Sequence, residues 1–163
     1  MEYNKEVSNP MLVGAIELAK AERTPEHQKL VTEEIFKAVF LSPARVTPIP
    51  EADGAEVGPD KRVLFPALEA PGGLRFYMAF TDTQEFNGWK DAKDWQSVTM
   101  TFEDYTKLMF KKDADQVEHP VVGVVINPFS ANIIIYKDKI AQYVSYKMSQ
   151  AYQKVKKASE DPK

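Results

Sequence analysis

Residues 121–136 read VVGVVINPFSANIIIY, two runs of β-branched apolar residues joined by a turn at Asn127-Pro128. No other stretch limits the fold so sharply. Continuous apolar runs of this length, rich in Val and Ile, specify strands buried on both faces. Asn at the first position of a turn bonds back to the backbone, and Pro at the second fixes φ, so the pair suits a type I turn. The segment therefore predicts two strands, Val121–Ile126 and Asn132–Tyr136, and a structural role for the turn. Phe129, just past the turn, stands where a strand end can offer an anchor to a partner, with a place in the core as the competing reading.

The rest of the chain fits the same scheme. Asn9 with Pro10, and Thr24 with Pro25, mark two helix starts, the first helix running over 9–21 and the second ending near Lys37. Val39–Val46 reads as a strand, and Pro43 within it predicts an edge or a break. Thr47–Lys61 lacks either periodicity, holds four acids, and reads as a long, mobile loop. Arg62–Glu69 and Leu74–Thr81 form a hairpin around Ala70-Pro71-Gly72-Gly73. Leu74, Phe76, Met78 and Phe80 alternate with Arg75, Tyr77, Ala79 and Thr81, and Pro66 requires an edge or bulge in the partner strand. Asp82 caps a short helix that stops at Gly88. Trp95–Thr101 is a strand, a helix opens at Thr101 or Phe102, and Asp113–Pro120 is a polar connection. Strand, helix and strand in that order imply a parallel crossover. Asp138–Lys157 is a long final helix with Ile140, Tyr143, Val144, Met148, Ala151, Tyr152 and Val155 on one stripe. The expected architecture is one α+β domain: a mixed, mainly antiparallel sheet of five or six strands with packed helices and one βαβ crossover.

Composition excludes more than it assigns. The 163 residues suit a single domain. The absence of cysteine removes disulfides, thiolate metal sites and cysteine nucleophiles. The N-terminus has no apolar signal core, and no apolar run approaches the roughly 18 residues of a membrane span, so the expected location is the cytoplasm. Residues 1–136 hold 14 Lys/Arg against 21 Asp/Glu, a net of −7, whereas residues 137–163 hold seven Lys against three acids, a net of +4. The acidic body argues against nucleic acid as the main partner. The lysine helix lacks the Trp/Phe face of a membrane-surface helix. It suits docking on an acidic body, or a dimer contact through Tyr143, Tyr146 and Tyr152.

Signatures of catalysis are lacking. His27 and His119 have no second ligand at metal-binding spacing. Glu51, Asp53, Glu56 and Asp60 lack the spacing of a calcium loop. Glu33-Glu34, Glu103-Asp104 and Asp113/Asp115 pair carboxylates in composition only, since adjacent helical residues point about 100° apart. Gly72-Gly73 has no phosphate-loop context, and no Gly-x-Ser-x-Gly elbow exists. No cofactor and no metal are expected. Trp89 and Trp95 flank the charged turn Lys90–Asp94 and, with Phe86, fit either an exposed aromatic patch of the kind that anchors interfaces or a cap on the core. The candidate partner-binding set is therefore Phe86, Trp89, Trp95, Asn127, Pro128 and Phe129, for a protein partner or a second copy of the chain. The alternative is a small-metabolite (amino acid) binding protein or an enzyme of unknown reaction. It would need a pocket in which Arg75, Tyr77, Asp82 and Asn127 converge.

Four stretches carry a likeness to a family. The run 76–81 (FYMAFT), Trp89, the stretch 98–105 (VTMTFEDY) and 123–129 (GVVINPF) together resemble the N-terminal domain of the SseB ("enhanced serine sensitivity") family, over roughly residues 25–136. The resemblance implies a small mixed α/β domain of bacterial origin and a link with serine tolerance, and it supplies no catalytic residues. Many members resemble a two-part design with a further C-terminal domain, whereas here one lysine-rich helix follows Tyr136.

Overall fold

A computed structural model describes residues 1–112 and 119–160 of the chain, with Glu160 described in backbone only. The elements follow in the order α1 (Pro10–Ala21), α2 (Pro25–Lys37), β1 (Val39–Thr47), β2 (Arg62–Leu64), β3 (Ala67–Ala70), β4 (Leu74–Ala79), α3 (Thr83–Asn87), β5 (Gln96–Thr101), α4 (Phe102–Met109), β6 (Val121–Ile126), β7 (Ile133–Tyr136) and α5 (Lys137–Glu160). The expected connection Asp113–Pro120 and the pair Asp113/Asp115 fall outside the described residues, His119 and Pro120 excepted.

Among the described residues seven strands form sheets of three and four, ordered β2-β1-β5 and β3-β4-β6-β7. The two join where the backbones of Leu41 and Phe80 exchange hydrogen bonds of 2.9 Å in an antiparallel bridge. The strand expected over 62–69 is divided at Phe65-Pro66, because Pro lacks the N–H a continuous ladder needs. Its first half pairs with β1 and its second with β4. That division accounts for seven strands where five or six were expected.

Pro43 lies inside a strand with partners on both sides, a correction to the expected edge or break. Leu41 turns its backbone groups toward Phe80, so by alternation Pro43 faces the same way. There it falls between the Leu41–Phe80 bridge and the β2 pairing, which begins at Arg45. No ladder bond is lost.

β4 and β6 are the parallel hydrogen-bonded pair. β5 is antiparallel to β1, and β1 is antiparallel to the end of β4. β5 and β6 therefore run the same way, joined through α4, with β1 and β4 between them.

Each sheet face has its own core. On one side Phe40, Ala79, Val98, Val124 and Ile126 meet α1, α2, α4 and the start of α5 through Leu12, Ile35, Tyr105 and Ile140. On the other side Leu41, Phe76, Met78, Phe80 and Val125 meet α3 and the residues after it, through Phe86 and Trp89, with Val7 of the N-terminal segment alongside. This is why β4 is buried on both faces toward its C-terminal end, beyond what a simple period of two implies. Tyr105 donates from its phenol to the Met78 carbonyl at 2.8 Å. Burial pushes that phenol well above its ordinary value, and the hydroxyl of Ser42 offsets only part of the shift.

Two further expectations are corrected. The loop after β1 is held by the N-terminus: Tyr3 donates its backbone N–H to Ala55 at 2.9 Å and Val57 donates to Met1 at 2.9 Å. Asn9 stands at the α1 N-cap without a side-chain cap bond. Its amide donates to the Val39 carbonyl at 2.8 Å and the Thr81 carbonyl at 2.6 Å, tying the helix entry to β1 and β4. Thr24, Asp82 and Thr101 do cap their helices, the last within a capping box. α5 docks only through its first turns, Ile140 being fully buried, while every residue from Ser145 to Ser159 is exposed.

Candidate interaction site

The thinly covered sheet face carries the candidate residues. α3 begins at Asp82, whose Oδ1 accepts from the Glu85 N–H at 2.8 Å. That cap sets Phe86 and Trp89 over the sheet, where Phe80 meets Phe86 edge to face at 5.3 Å and lies near-parallel to Trp89 at 6.2 Å. Phe86 and Trp89 are 7 % and 8 % exposed, so both rings are core.

The turn at the end of β6 is built by Asn127. Its φ of +48° lies in the left-handed region that Asn tolerates better than other side chains. Its N–H donates to the Ala79 carbonyl at 2.8 Å, and its own carbonyl accepts from Ser130 at 3.1 Å and Asn132 at 2.8 Å. Its side-chain oxygen accepts from the Thr81 N–H at 3.0 Å, and its amide donates to the Thr81 hydroxyl at 2.9 Å. Asn127 is 4 % exposed and every polar group in this list is spent on structure. Pro128 follows, half-buried. Ser130 donates to the Glu85 carboxylate at 2.9 Å, fastening the turn to α3.

What the turn presents is Phe129. Its ring lies parallel to Trp89, 10° between planes and 6.4 Å between centroids, and close to parallel with Phe80 at 6.5 Å. It remains 53 % exposed. An aromatic side chain held on a rigid aromatic base, half in water, loses little entropy when a partner covers it. Nearby on the same face Tyr136, also exposed, packs edge to face on Phe76 at 5.8 Å.

The structure thus brings Phe86, Trp89 and Phe129 together and places Asn127 and Pro128 beneath them as the turn. Trp95 packs half-buried against the margin of the same cluster, with the Arg45 guanidinium 4.2 Å over its ring, and stacks on none of the three. The residues named for a metabolite pocket do not converge. Asp82 and Asn127 both bond Thr81 beyond the end of β4. Arg75 and Tyr77 lie toward its start, and six residues of strand from Arg75 to Thr81 span roughly 20 Å. Arg75 donates to the His119 carbonyl at 3.2 Å, and Tyr77 packs against Phe65. His27 is engaged at its own helix start, its backbone N–H donating to the capping Thr24 Oγ1 and its Nδ1 lying 2.6 Å from the Glu22 carbonyl. Among the described residues no group of three His, Cys, Asp or Glu is placed to hold a metal ion, and no helix is long and apolar enough to cross a membrane.

A mixed sheet with helices massed on one side, and on the other an aromatic base under the exposed ring of Phe129, defines an α+β fold. Residues 12–142 match the family model described as the SseB protein N-terminal domain, so the chain belongs to the SseB family. No curated protein and no solved structure matches the chain.

Sequence reasoning did not find a second feature, a groove beside β7 formed by α1, α2, residues 131–136 and α5. Its walls come from segments more than ninety residues apart, and no local pattern joins them.

Proposed function

We propose that this chain is a non-catalytic, bacterial, cytoplasmic protein-interaction or regulatory domain, with the link to serine tolerance that its family's name carries. Its partner, another protein or a second copy of the chain, seats on Phe129 over the Trp89–Phe80 base, with Phe86 and the 127–130 turn as the rigid support. One observation carries this reading: Phe129 is half-exposed yet stacked on core rings and pinned through its turn to α3 and β4. Exposed aromatics on rigid supports are the usual energetic centres of interfaces. Trp95 belongs to the rim of this surface at most.

The test is quantitative affinity capture from native bacterial lysate with the wild-type chain and with Phe129→Ala. A partner retained by the wild type and depleted roughly tenfold or more by the variant fits loss of an interface anchor worth about 2 kcal/mol. Equal retention by a folded Phe129→Ala chain refutes the site.

A further inference from the structure

Among the described residues β7 is the last strand of its sheet and pairs with β6 alone. The N–H of Asn127 reaches Ala79 on β4, so the odd-numbered residues of β6 turn their backbone groups toward β4 and the even-numbered ones toward β7. In the observed register Val124 faces Ile135 and Ile126 faces Ile133. These are the pairs that exchange ladder bonds. The N–H and C=O of Ile134, and the N–H of Tyr136, therefore point away from β6. Among the described residues no hydrogen bond reaches them, and Ile134 is 42 % exposed.

These open groups border the groove of about 1150 Å³ that α1 and α2 flank on one side and α5 on the other. Val31, Phe36 and Tyr143 give it apolar walls. Its rim holds three cations, Lys20, Arg23 and Lys139, against one acid, Asp138. None of the ion pairs among the described residues uses any of the three cations.

We propose that this groove is a peptide-binding site: an extended, acidic segment of a partner protein adds as a strand beside β7. Each observation supplies one part of the recognition. Open backbone groups on an edge strand are the template for strand addition, which gives affinity through main-chain bonds. Apolar walls receive alternate side chains, and the three rim cations select acidic residues at the others. The four residues of β7 offer roughly 13 Å of edge, enough for a short motif. Self-pairing through β7 is disfavoured, because it would set the same three cations of two copies against each other. Phe129 stands on the turn before β7 and packs on the opposite sheet face from Ile133 and Ile135, and the test leaves it unchanged.

The experiment titrates the isotope-labelled full chain with ten-residue peptides in which Glu or Asp alternates with Val, Ile or Phe, and with matched peptides carrying Lys in place of each acid. Expected are saturable shifts of the Ile134 and Tyr136 amides with acidic peptides alone, slowed exchange of those two N–H groups, and weakening as salt is raised. Ile134→Pro removes the outward N–H without touching a ladder bond, a position where an edge strand tolerates proline. It should weaken binding roughly tenfold, the cost of leaving a partner acceptor unpaired. If that variant does not fold, the exposed pair Lys20→Glu/Lys139→Glu decides instead, by abolishing acidic-peptide binding. The proposal is overturned by an acidic series that leaves Ile134 and Tyr136 unmoved, by equal binding of the lysine series, or by binding unchanged in the folded variants. Concentration-dependent pairing of the free chain through β7 also overturns it. Shifts confined to Phe129 would overturn it as well, while leaving the aromatic site standing.

Discussion

Asn127 and Tyr105 show how individual side chains decide this fold. Asn127 holds the ends of β4 and β6 together through Thr81 while occupying left-handed backbone. Asn127→Ala loses both side-chain bonds, leaves the Thr81 N–H without its acceptor, and places Ala in a conformation it disfavours. The expected loss is about 2–4 kcal/mol, read from the denaturation midpoint. Tyr105 is buried and neutral, and its phenol pKa is raised above the ordinary 10.0. A group whose folded pKa is raised contributes stability that is complete below its unfolded value and is lost as pH climbs toward the folded one. Stability should therefore hold steady up to about pH 10 and fall above it. Tyr105→Phe should flatten part of that alkaline fall and cost about 1–2 kcal/mol at neutral pH, because the Met78 carbonyl loses its donor. Phe129→Ala is the contrast: an exposed ring whose removal should change stability by less than about 1 kcal/mol while depleting the captured partner.

At the scale of elements, the helices were the most legible part of the sequence. Asn9-Pro10 and Thr24-Pro25 mark starts at the residues where α1 and α2 begin, because Pro at the first helical position acts locally. The Asn127-Pro128 turn was legible for the same reason. What Asn9 does with its side chain was not, since its acceptors on Val39 and Thr81 lie 30 and 72 residues away. Pro66 and Pro43 were correctly marked as obstacles, but a missing N–H can be met by an edge, a break or a gap between partners, and only the tertiary pairing chooses. In the candidate set, Phe86, Trp89 and Phe129 join one ring cluster, whereas Trp95 packs at its margin under the Arg45 guanidinium. Aromatic residues close in sequence do not reveal which of them will meet ring to ring. α5 gives a direct check of element-level reasoning. Its apolar stripe is continuous in sequence, yet only the first turns touch the body. Ile140→Ala should cost about 2–5 kcal/mol, as a fully buried branched residue does. Ending the chain at Lys147 should shift the thermal midpoint by no more than about 2 °C.

For the molecule as a whole, the division of labour between the two sheet faces matters most. One face is packed by α1, α2, α4 and the start of α5, and that core supplies most of the apolar burial. The other is covered thinly, by α3, the residues after it and Val7, and Phe129 stands on Trp89 and Phe80 at its surface. A scaffold with this asymmetry can lose a surface ring without losing its fold, and on that separation the reading of Phe129 as a binding anchor depends. Affinity capture with wild-type and Phe129→Ala chains of matched thermal stability measures it most directly. The account expects a partner, or a second copy of the chain, that the wild type retains and the variant loses. A variant that folds equally well and keeps that partner at wild-type level would contradict it.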